Sequence, residues 1–166
     1  KLLVKFLNHG NKNIPSFVTT INYNKINLVG DPISQGKIFE SLLADEIVLL
    51  NYERINLDNN VSYFNFLKDF ASTIFLPLSA GGGIKSLKDI EMHLKNGADK
   101  VIINTKIGTD QNFISEAAKN FGKQCIVVAI DIRLVNNEYQ TFINRGKQKI
   151  NNDPISWGKK IQDFGA

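Results

Sequence analysis

The chain has 166 residues, of which 43% are hydrophobic and 22% are charged, and its net charge at pH 7 is +4. This composition is typical of one globular domain. No apolar run approaches the roughly 20 residues of a membrane span, and the N-terminal stretch is too short and interrupted for a secretion signal, so a cytoplasmic protein is expected. The positive charges are scattered, which argues against a nucleic-acid partner and weakly favours a small anionic ligand.

The few cysteines and histidines limit the chemistry further. Cys125 is the single cysteine, which excludes an internal disulfide. The apolar residues that follow it predict a buried strand and an inert thiol. His9 and His93 have no second histidine or cysteine at metal-ligand spacing. We therefore predict neither a metal nor another cofactor.

Short apolar runs alternate with amphipathic stretches in the first half of the chain, which is typical of βα units. Asp31 and Pro32 are suited to the N-cap and first position of a helix. Ile33, Ile38, Leu42 and Leu43 are expected to form its apolar face. The predicted elements are strands at Leu2 to Leu7 and Phe17 to Tyr23 around a polar loop, His9 to Asn13, then this helix, a strand at Glu46 to Leu50 and a helix over Val61 to Ser72.

The same alternation continues in the second half. Asn136-Asn137 is expected at the tip of a hairpin over Arg133 to Asn144. Asp153-Pro154 is expected to cap the last helix, whose Trp157 and Ile161 pack inward. The other predicted elements are strands at Phe75 to Ala80, Lys100 to Asn104 and Ile126 to Ile132, and helices at Ser86 to Asn96 and Phe113 to Phe121.

These elements amount to about five βα units in one domain, residues 1–166. A closed eight-unit barrel usually needs about 250 residues. The expected architecture is therefore either an open α/β sheet or an incomplete barrel.

A glycine-rich turn follows the strand at Phe75 to Ala80. Glycines at Gly82 and Gly83 would let backbone N–H groups approach an oxyanion closely, and the next helix N-terminus favours negative charge. Asn104 and Thr105 end the following strand, on the same face in a parallel barrel. A phosphate site is one interpretation. A tight turn at the glycines and a helix cap or Asx turn at Asn104 are the alternatives.

Charged residues mark both ends of the predicted strands. Asp131 is predicted to end its strand at the barrel mouth, where catalytic residues gather, and it could act as general acid or base or simply cap a loop. Glu46, Asp99 and Lys100 lie at the opposite, N-terminal ends of their strands. Salt bridges on the bottom face are the simplest interpretation of these three residues.

Together these pieces resemble the cyclase subunit family of imidazole glycerol phosphate synthase, from Gly30 to Ala166. The most specific stretches are Ala44-Asp45-Glu46, Gly81-Gly82-Gly83-Ile84, Gly97-Ala98-Asp99-Lys100-Val101, Asn104-Thr105, and the run from Gln124 to Asp131. The sibling isomerase of histidine biosynthesis shares the glycine loop but matches the last two stretches less well.

The resemblance implies a (β/α)₈ (TIM) barrel truncated to about its first five βα units. It implies a glutamine amidotransferase partner, in a heterodimer, that supplies ammonia through the barrel. The ammonia reacts with a phosphoribulosyl-formimino ribonucleotide to give imidazole glycerol phosphate and an aminoimidazole carboxamide ribonucleotide. The resemblance also implies that one phosphate is held by Gly82, Gly83, Asn104 and Thr105, and that Asp131 is a catalytic aspartate. Glu46 and Lys100 match the residues gating ammonia entry, and Asp99 faces the partner.

Three positions depart from the family pattern. The first strand normally carries an acid/base aspartate, but Leu7-Asn8-His9-Gly10 or Asn11 occupies that region. Thr19 replaces a lysine and Asn51 an aspartate. The chain also resembles a divergent branch of the family, linked to acetamidino groups on surface sugars, which lacks the first-strand aspartate. A non-catalytic phosphate-binding scaffold is a further alternative.

The second half of the barrel, with its own aspartate and phosphate loop, is not in this sequence. A barrel without its last strands exposes sheet edges and apolar faces. The 166-residue segment alone is therefore expected to be inactive and to self-associate or aggregate.

Overall fold

The computed structural model describes residues 1–10, 12–21, 23, 25–53 and 61–166. The chain divides into two compact units, Lys1–Val101 and Ile102–Ala166. Strands and helices alternate along most of it, which confirms the α/β class. No helix in the described residues is both long and apolar enough to cross a bilayer.

The N-terminal unit is a sheet covered by helices. Its strand order is β3-β2-β1-β4-β5, with antiparallel pairing among β1, β2 and β3 and parallel pairing of β1 with β4 and of β4 with β5. The elements are β1 (Leu2–His9), β2 (Lys12–Ile21), β3 (Lys25–Gly30), α1 (Pro32–Ser41), β4 (Ile47–Asn51), α2 (Val61–Thr73), β5 (Leu78–Gly81), α3 (Leu87–Lys95) and the start of β6 (Lys100–Ile103).

The core of this unit lies between one face of the sheet and α2. Alternate residues of β1 and β4 contribute to it, because successive side chains of a strand point to opposite faces. Gly36 lets α1 pack closely, since a Cβ there would be 2.9 Å from the ring of Phe70. The strand and helix residues of this core include Leu2, Val4, Phe6, Ile47, Leu49, Tyr63, Phe66, Leu67 and Phe70.

The first helix begins as predicted, and Ile33 packs against the core as expected, but the other three residues of its predicted apolar face do not. The Asp31 side chain accepts a hydrogen bond from the Ser34 backbone N–H at 2.6 Å, and Pro32 opens the helix. Ile38 is 50% exposed, and Leu42 and Leu43 lie beyond the end of the helix and are 71% and 87% exposed. The buried positions are Pro32 and Gly36, because the face of α1 that packs closely on α2 is the one that carries small residues.

Strand boundaries near the N-terminus also differ from the predictions. β2 begins at Lys12 and β3 was not predicted. The predicted polar loop is a tight turn at Gly10, with Asn11 outside the described residues. The strand predicted from Phe75 begins only at Leu78, and Phe75 is 84% exposed. An apolar residue in sequence does not reveal where the pairing of a strand starts.

The C-terminal unit combines helices with a three-stranded antiparallel sheet of order β10-β9-β8. Its core includes Ile114, Trp157 and Ile161, so the expected packing of Trp157 and Ile161 is confirmed. The elements are the end of β6, α4 (Thr105–Thr109), α5 (Asn112–Phe121), β7 (Ile126–Val128), β8 (Asp131–Val135), β9 (Glu138–Ile143), β10 (Gln148–Lys149) and α6 (Pro154–Phe164).

The hairpin prediction is confirmed. Asn136 and Asn137 connect β8 to β9 with φ values of 51° and 62°. Two consecutive left-handed residues match the twist of the flanking strands, and asparagine tolerates that conformation. The Asp153 side chain caps α6 by accepting from the backbone N–H groups of Ile155 and Ser156, as expected.

Two predictions in this unit are wrong. The apolar run to Ile132 is not one strand, since β7 ends at Val128 and Asp131 is the first residue of β8. Cys125 lies in a short 3₁₀ turn and is partly exposed, not in a buried strand. The apolar run thus begins one residue before β7 and continues past its end.

Candidate functional site

The glycine turn in the N-terminal unit follows β5 directly. Gly82 and Gly83 have φ values of +105° and +92°, which side chains rarely adopt. A Cβ on Gly82 would overlap the backbone carbonyl oxygen of Asn51, at the end of β4. Glycine at this position is therefore required by the fold itself, with or without a ligand.

The start of α3 beside this turn is closed by a capping box. The Ser86 hydroxyl accepts from the Asp89 backbone N–H at 3.2 Å. The Asp89 carboxylate accepts from the backbone N–H groups of Lys85 at 2.8 Å and Ser86 at 2.9 Å. Because these two N–H groups are already bonded, an anion at this turn would have to use the N–H groups that precede them.

Asn104 and Thr105 lie in the C-terminal unit, at the junction of β6 and α4. The Asn104 side-chain amide donates to the carbonyl of Ala129 at 2.9 Å. The Thr105 hydroxyl donates to the Asn104 side-chain oxygen and accepts from the Asn144 backbone N–H, both at 3.3 Å. This chain of bonds ties the start of α4 to the segments after β7 and β9, so both side chains have a structural use.

Asp131 is partly buried at the start of β8, where its cross-strand partner is Phe142. Arg133 lies two residues along the same strand, and its guanidinium stacks over the Phe142 ring at 4.9 Å. Residues two apart on a strand share a face. Asp131 therefore belongs to a face that also carries a cation and an aromatic ring.

Glu46, Lys100 and Ser79 form a charged cluster at the amino ends of the strands in the N-terminal unit. The Glu46 carboxylate lies 2.9 Å from the Lys100 ammonium and accepts a short hydrogen bond from the Ser79 hydroxyl. The hydrogen bonds from Ser79 and Lys100 lower the pKa of Glu46 below its ordinary value. The predicted salt bridge at this face is thus observed for Glu46 and Lys100, whereas Asp99 is in no salt bridge among the described residues.

Asp99 belongs to the same amino-terminal edge. Its carboxylate accepts from the backbone N–H of Leu78 at 2.8 Å, while its own N–H donates to the Leu78 carbonyl at 2.8 Å. It also lines a cleft of about 380 Å³, together with Ala71, Ile74, Phe75, Leu76, Pro77, Leu78 and Gly97. Most of the residues that line it are apolar in type, including the exposed Phe75, but their backbone groups and Asp99 make about half of the exposed lining polar.

Over residues 13–166 the chain matches the family described as histidine biosynthesis protein. The chain belongs to this family. It is 37% identical over 149 residues to the imidazole glycerol phosphate synthase subunit HisF of Saccharolobus solfataricus, covering 90% of this chain and 59% of that protein. It is 41% identical over 145 residues to HisF of Sulfolobus acidocaldarius, covering 86% and 58% respectively.

A bacterial relative is similar to the same extent. HisF of Campylobacter concisus is 38% identical over 149 residues, covering 90% of this chain and 59% of that protein. The chain thus spans slightly under three fifths of the length of the curated relatives that it matches. The resemblance to the cyclase subunit family is confirmed.

Sequence reasoning missed two polar features of this family member. An ion pair joins Lys5 of β1 to Glu53, with 3.9 Å between the ammonium nitrogen and a carboxylate oxygen. His93 is fully buried on α3, where burial lowers its pKa. Strand alternation could have shown that Lys5 lies opposite the core face, but nothing local in the sequence links it to Glu53.

Proposed function

We propose that the protein is the cyclase subunit of an imidazole glycerol phosphate synthase, built on a (β/α)₈ barrel of which these residues form about the first five units. It would act in the cytoplasm and combine ammonia with a phosphoribulosyl-formimino ribonucleotide. The products would be imidazole glycerol phosphate and an aminoimidazole carboxamide ribonucleotide. The observation that carries this proposal is the 37–41% identity to synthase subunits over 86–90% of the chain.

Asp131 is the proposed general acid or base. Its position at the start of a hairpin that follows β7 leaves it partly buried, which suits a group that must exchange protons with a substrate.

Backbone N–H groups at Gly82 and Gly83 are proposed phosphate ligands, as are the side chains of Asn104 and Thr105. Since Thr105 already uses its hydroxyl hydrogen, phosphate binding there would exchange its bond to Asn104 for a charge-assisted one.

Glu46 and Lys100 are proposed to gate the entry of ammonia. Their ion pair is about one-third exposed and lies on the sheet face opposite the core, so it can open at modest cost in free energy.

A glutamine amidotransferase is the proposed partner, forming a heterodimer at the amino-terminal edge. The cleft beside Phe75 and Asp99 supports this, because interfaces are anchored by apolar groups that fill such pockets.

The proposal is tested by assaying the intact protein with a glutamine amidotransferase subunit. We expect imidazole glycerol phosphate to form with either glutamine or ammonium ions as the nitrogen source. Asp131→Asn should reduce turnover at least 100-fold, whereas Asp163→Asn, the same change on the exposed face of α6, should not. Glu46→Gln and Lys100→Met should impair the glutamine-dependent reaction more than the ammonium-dependent one.

Other results would redirect the assignment. No turnover with the nucleotide, but activity with an amidotransferase on a surface-sugar precursor, would favour the amidination branch. Binding of phosphate with no turnover on either substrate would favour a non-catalytic scaffold.

A further inference from the structure

Lys5 lies on the face of β1 that points away from the core. Its neighbours Val4 and Phe6 are buried in that core, whereas Lys5 is partly exposed, as are Leu3 and Leu7. β4 shows the same division, with Leu49 buried in the core and Leu50 on the other side. The second face of the N-terminal sheet is therefore mostly aliphatic, with the ammonium group of Lys5 projecting from it.

Glu53 is held beside this lysine by the end of β4. The Tyr52 backbone N–H donates to the Val4 carbonyl at 2.8 Å, which extends the pairing with β1 past the end of the strand. The Glu53 backbone N–H donates to the Asn51 side-chain oxygen at 3.1 Å. These two bonds direct the segment so that the Glu53 carboxylate reaches Lys5, with side chains 26% and 28% exposed.

The two charged groups of this pair are close but not in hydrogen-bond contact with each other. At 3.9 Å the two charged groups are too far apart for a direct hydrogen bond, for which 2.7–2.9 Å is normal. Within the described part of the chain the Lys5 ammonium makes no hydrogen bond. A hydroxyl group placed between the two can accept from the ammonium and donate to the carboxylate, which a single anion or cation cannot do.

The pair and the glycine turn lie at the same height along the strands, as a ligand that contacts both would require. Val4 is level with Asn51, and Leu50 is level with Gly81, so Lys5 and Gly82 lie near the same edge of the sheet. With one strand between them, β1 and β5 are about 10 Å apart at the usual strand spacing. This distance is comparable with the length of a small sugar phosphate together with the reach of a lysine side chain.

We propose that Lys5 and Glu53 form a hydroxyl-binding subsite that holds the polyol part of a phosphorylated substrate whose phosphate lies at Gly82 and Gly83. This rests on the phosphate site of the proposed function and adds to it the recognition of the carbon chain. The pair is a specificity determinant, since it distinguishes a polyol phosphate from phosphate alone.

The test compares two probes, sn-glycerol 3-phosphate and inorganic phosphate, binding to the intact protein by calorimetry. Wild type should bind glycerol phosphate at least fivefold more tightly than phosphate. Lys5→Met and Glu53→Gln should each remove most of this preference while changing the Kd for phosphate less than twofold. Lys25→Met, the same loss of charge at an exposed position of β3, should change neither Kd.

The other outcomes would overturn the hydroxyl subsite, the phosphate site or both. Equal weakening of both probes, or no effect on either, overturns the hydroxyl subsite. If wild type binds phosphate but prefers it to glycerol phosphate, the subsite is wrong and the phosphate site stands. If wild type binds neither probe, the phosphate site fails and the subsite fails with it. Glu53→Gln is nearly isosteric, so it remains informative if Lys5→Met does not fold.

Discussion

A Cβ atom on Gly82 would overlap the backbone carbonyl oxygen of Asn51, so the glycine turn after β5 packs directly against the end of β4. The two strands are parallel neighbours whose pairing ends at Leu50 and Gly81. The turn therefore has a structural requirement for glycine that exists before any ligand binds. Loss of activity on substituting this glycine would not by itself demonstrate a phosphate site.

Gly82→Ala should destabilise the protein by more than about 2 kcal/mol, because a positive φ and a backbone clash both oppose a side chain. Gly10→Ala is the matched control. Gly10 has a φ of +61°, but apart from its two chain neighbours no described residue lies within 4 Å of the place where a Cβ would be, so its cost should be about 1 kcal/mol. Urea unfolding without phosphate measures both. Equal losses would contradict the close approach to Asn51.

His93 should make stability fall in mild acid. Its ring is fully buried against Tyr63 and Phe64 of α2, with Nδ1 2.7 Å from the Asp89 carbonyl and no partner for Nε2 among the described residues. The Asp89 carboxylate is already bonded to the backbone of Lys85 and Ser86. Burial lowers the pKa of His93 below 6.5, so the unfolded chain binds the proton more readily.

The contribution of His93 is therefore complete above pH 6.5 and declines as pH falls towards its lower folded pKa. The expected slope is about 1.4 kcal/mol per pH unit in that interval. Unfolding free energies from pH 8 to pH 5 should show this decline in wild type and in His9→Gln, since His9 is exposed. His93→Leu should lack it, and parallel pH profiles for wild type and His93→Leu would refute the assignment.

Thr105 should contribute to stability without any ligand. Its hydroxyl accepts from the Asn144 backbone N–H and donates to Asn104. Thr105→Val should cost about 1 kcal/mol, because it removes both of these hydrogen bonds. Thr105→Ser keeps the hydroxyl and should be close to wild type. Identical thermal midpoints for the Val and Ser variants would show that these bonds do not matter.

An aspartate introduced on β1 should support catalysis only when it replaces Leu7. β1 pairs with β2 in unbroken register, so Leu7 shares the face of Lys5 whereas Asn8 points to the other side. In the intact protein, Leu7→Asp should raise turnover in the proposed cyclase reaction more than tenfold, and Leu7→Asn and Asn8→Asp should leave it unchanged. A gain from Asn8→Asp instead would mean that the alternation breaks before the end of β1. Asn11, another candidate position, lies outside the described residues.

Local chemistry was sufficient to predict the starts of helices and the main hairpin. The Asp31 and Asp153 caps and the Asn136–Asn137 turn each depend on residues within a few positions of one another. The sequence alone also predicted the α/β class, since alternating periodicity is a property of each segment. It predicted salt bridges among Glu46, Asp99 and Lys100 by placing them at the amino ends of their strands, and the structure shows the one between Glu46 and Lys100.

Contacts between distant segments were decided only by the tertiary structure. Ile38 looks like a core residue, yet α1 buries Gly36 because Phe70 lies so close to it. The apolar run through Ile132 hid the change of pairing partner that places Asp131 at the start of β8. The pairing of Lys5 with Glu53 follows from the register of β1 with β4. Periodicity shows which face of a strand is apolar, but register and packing distance depend on residues far away along the chain.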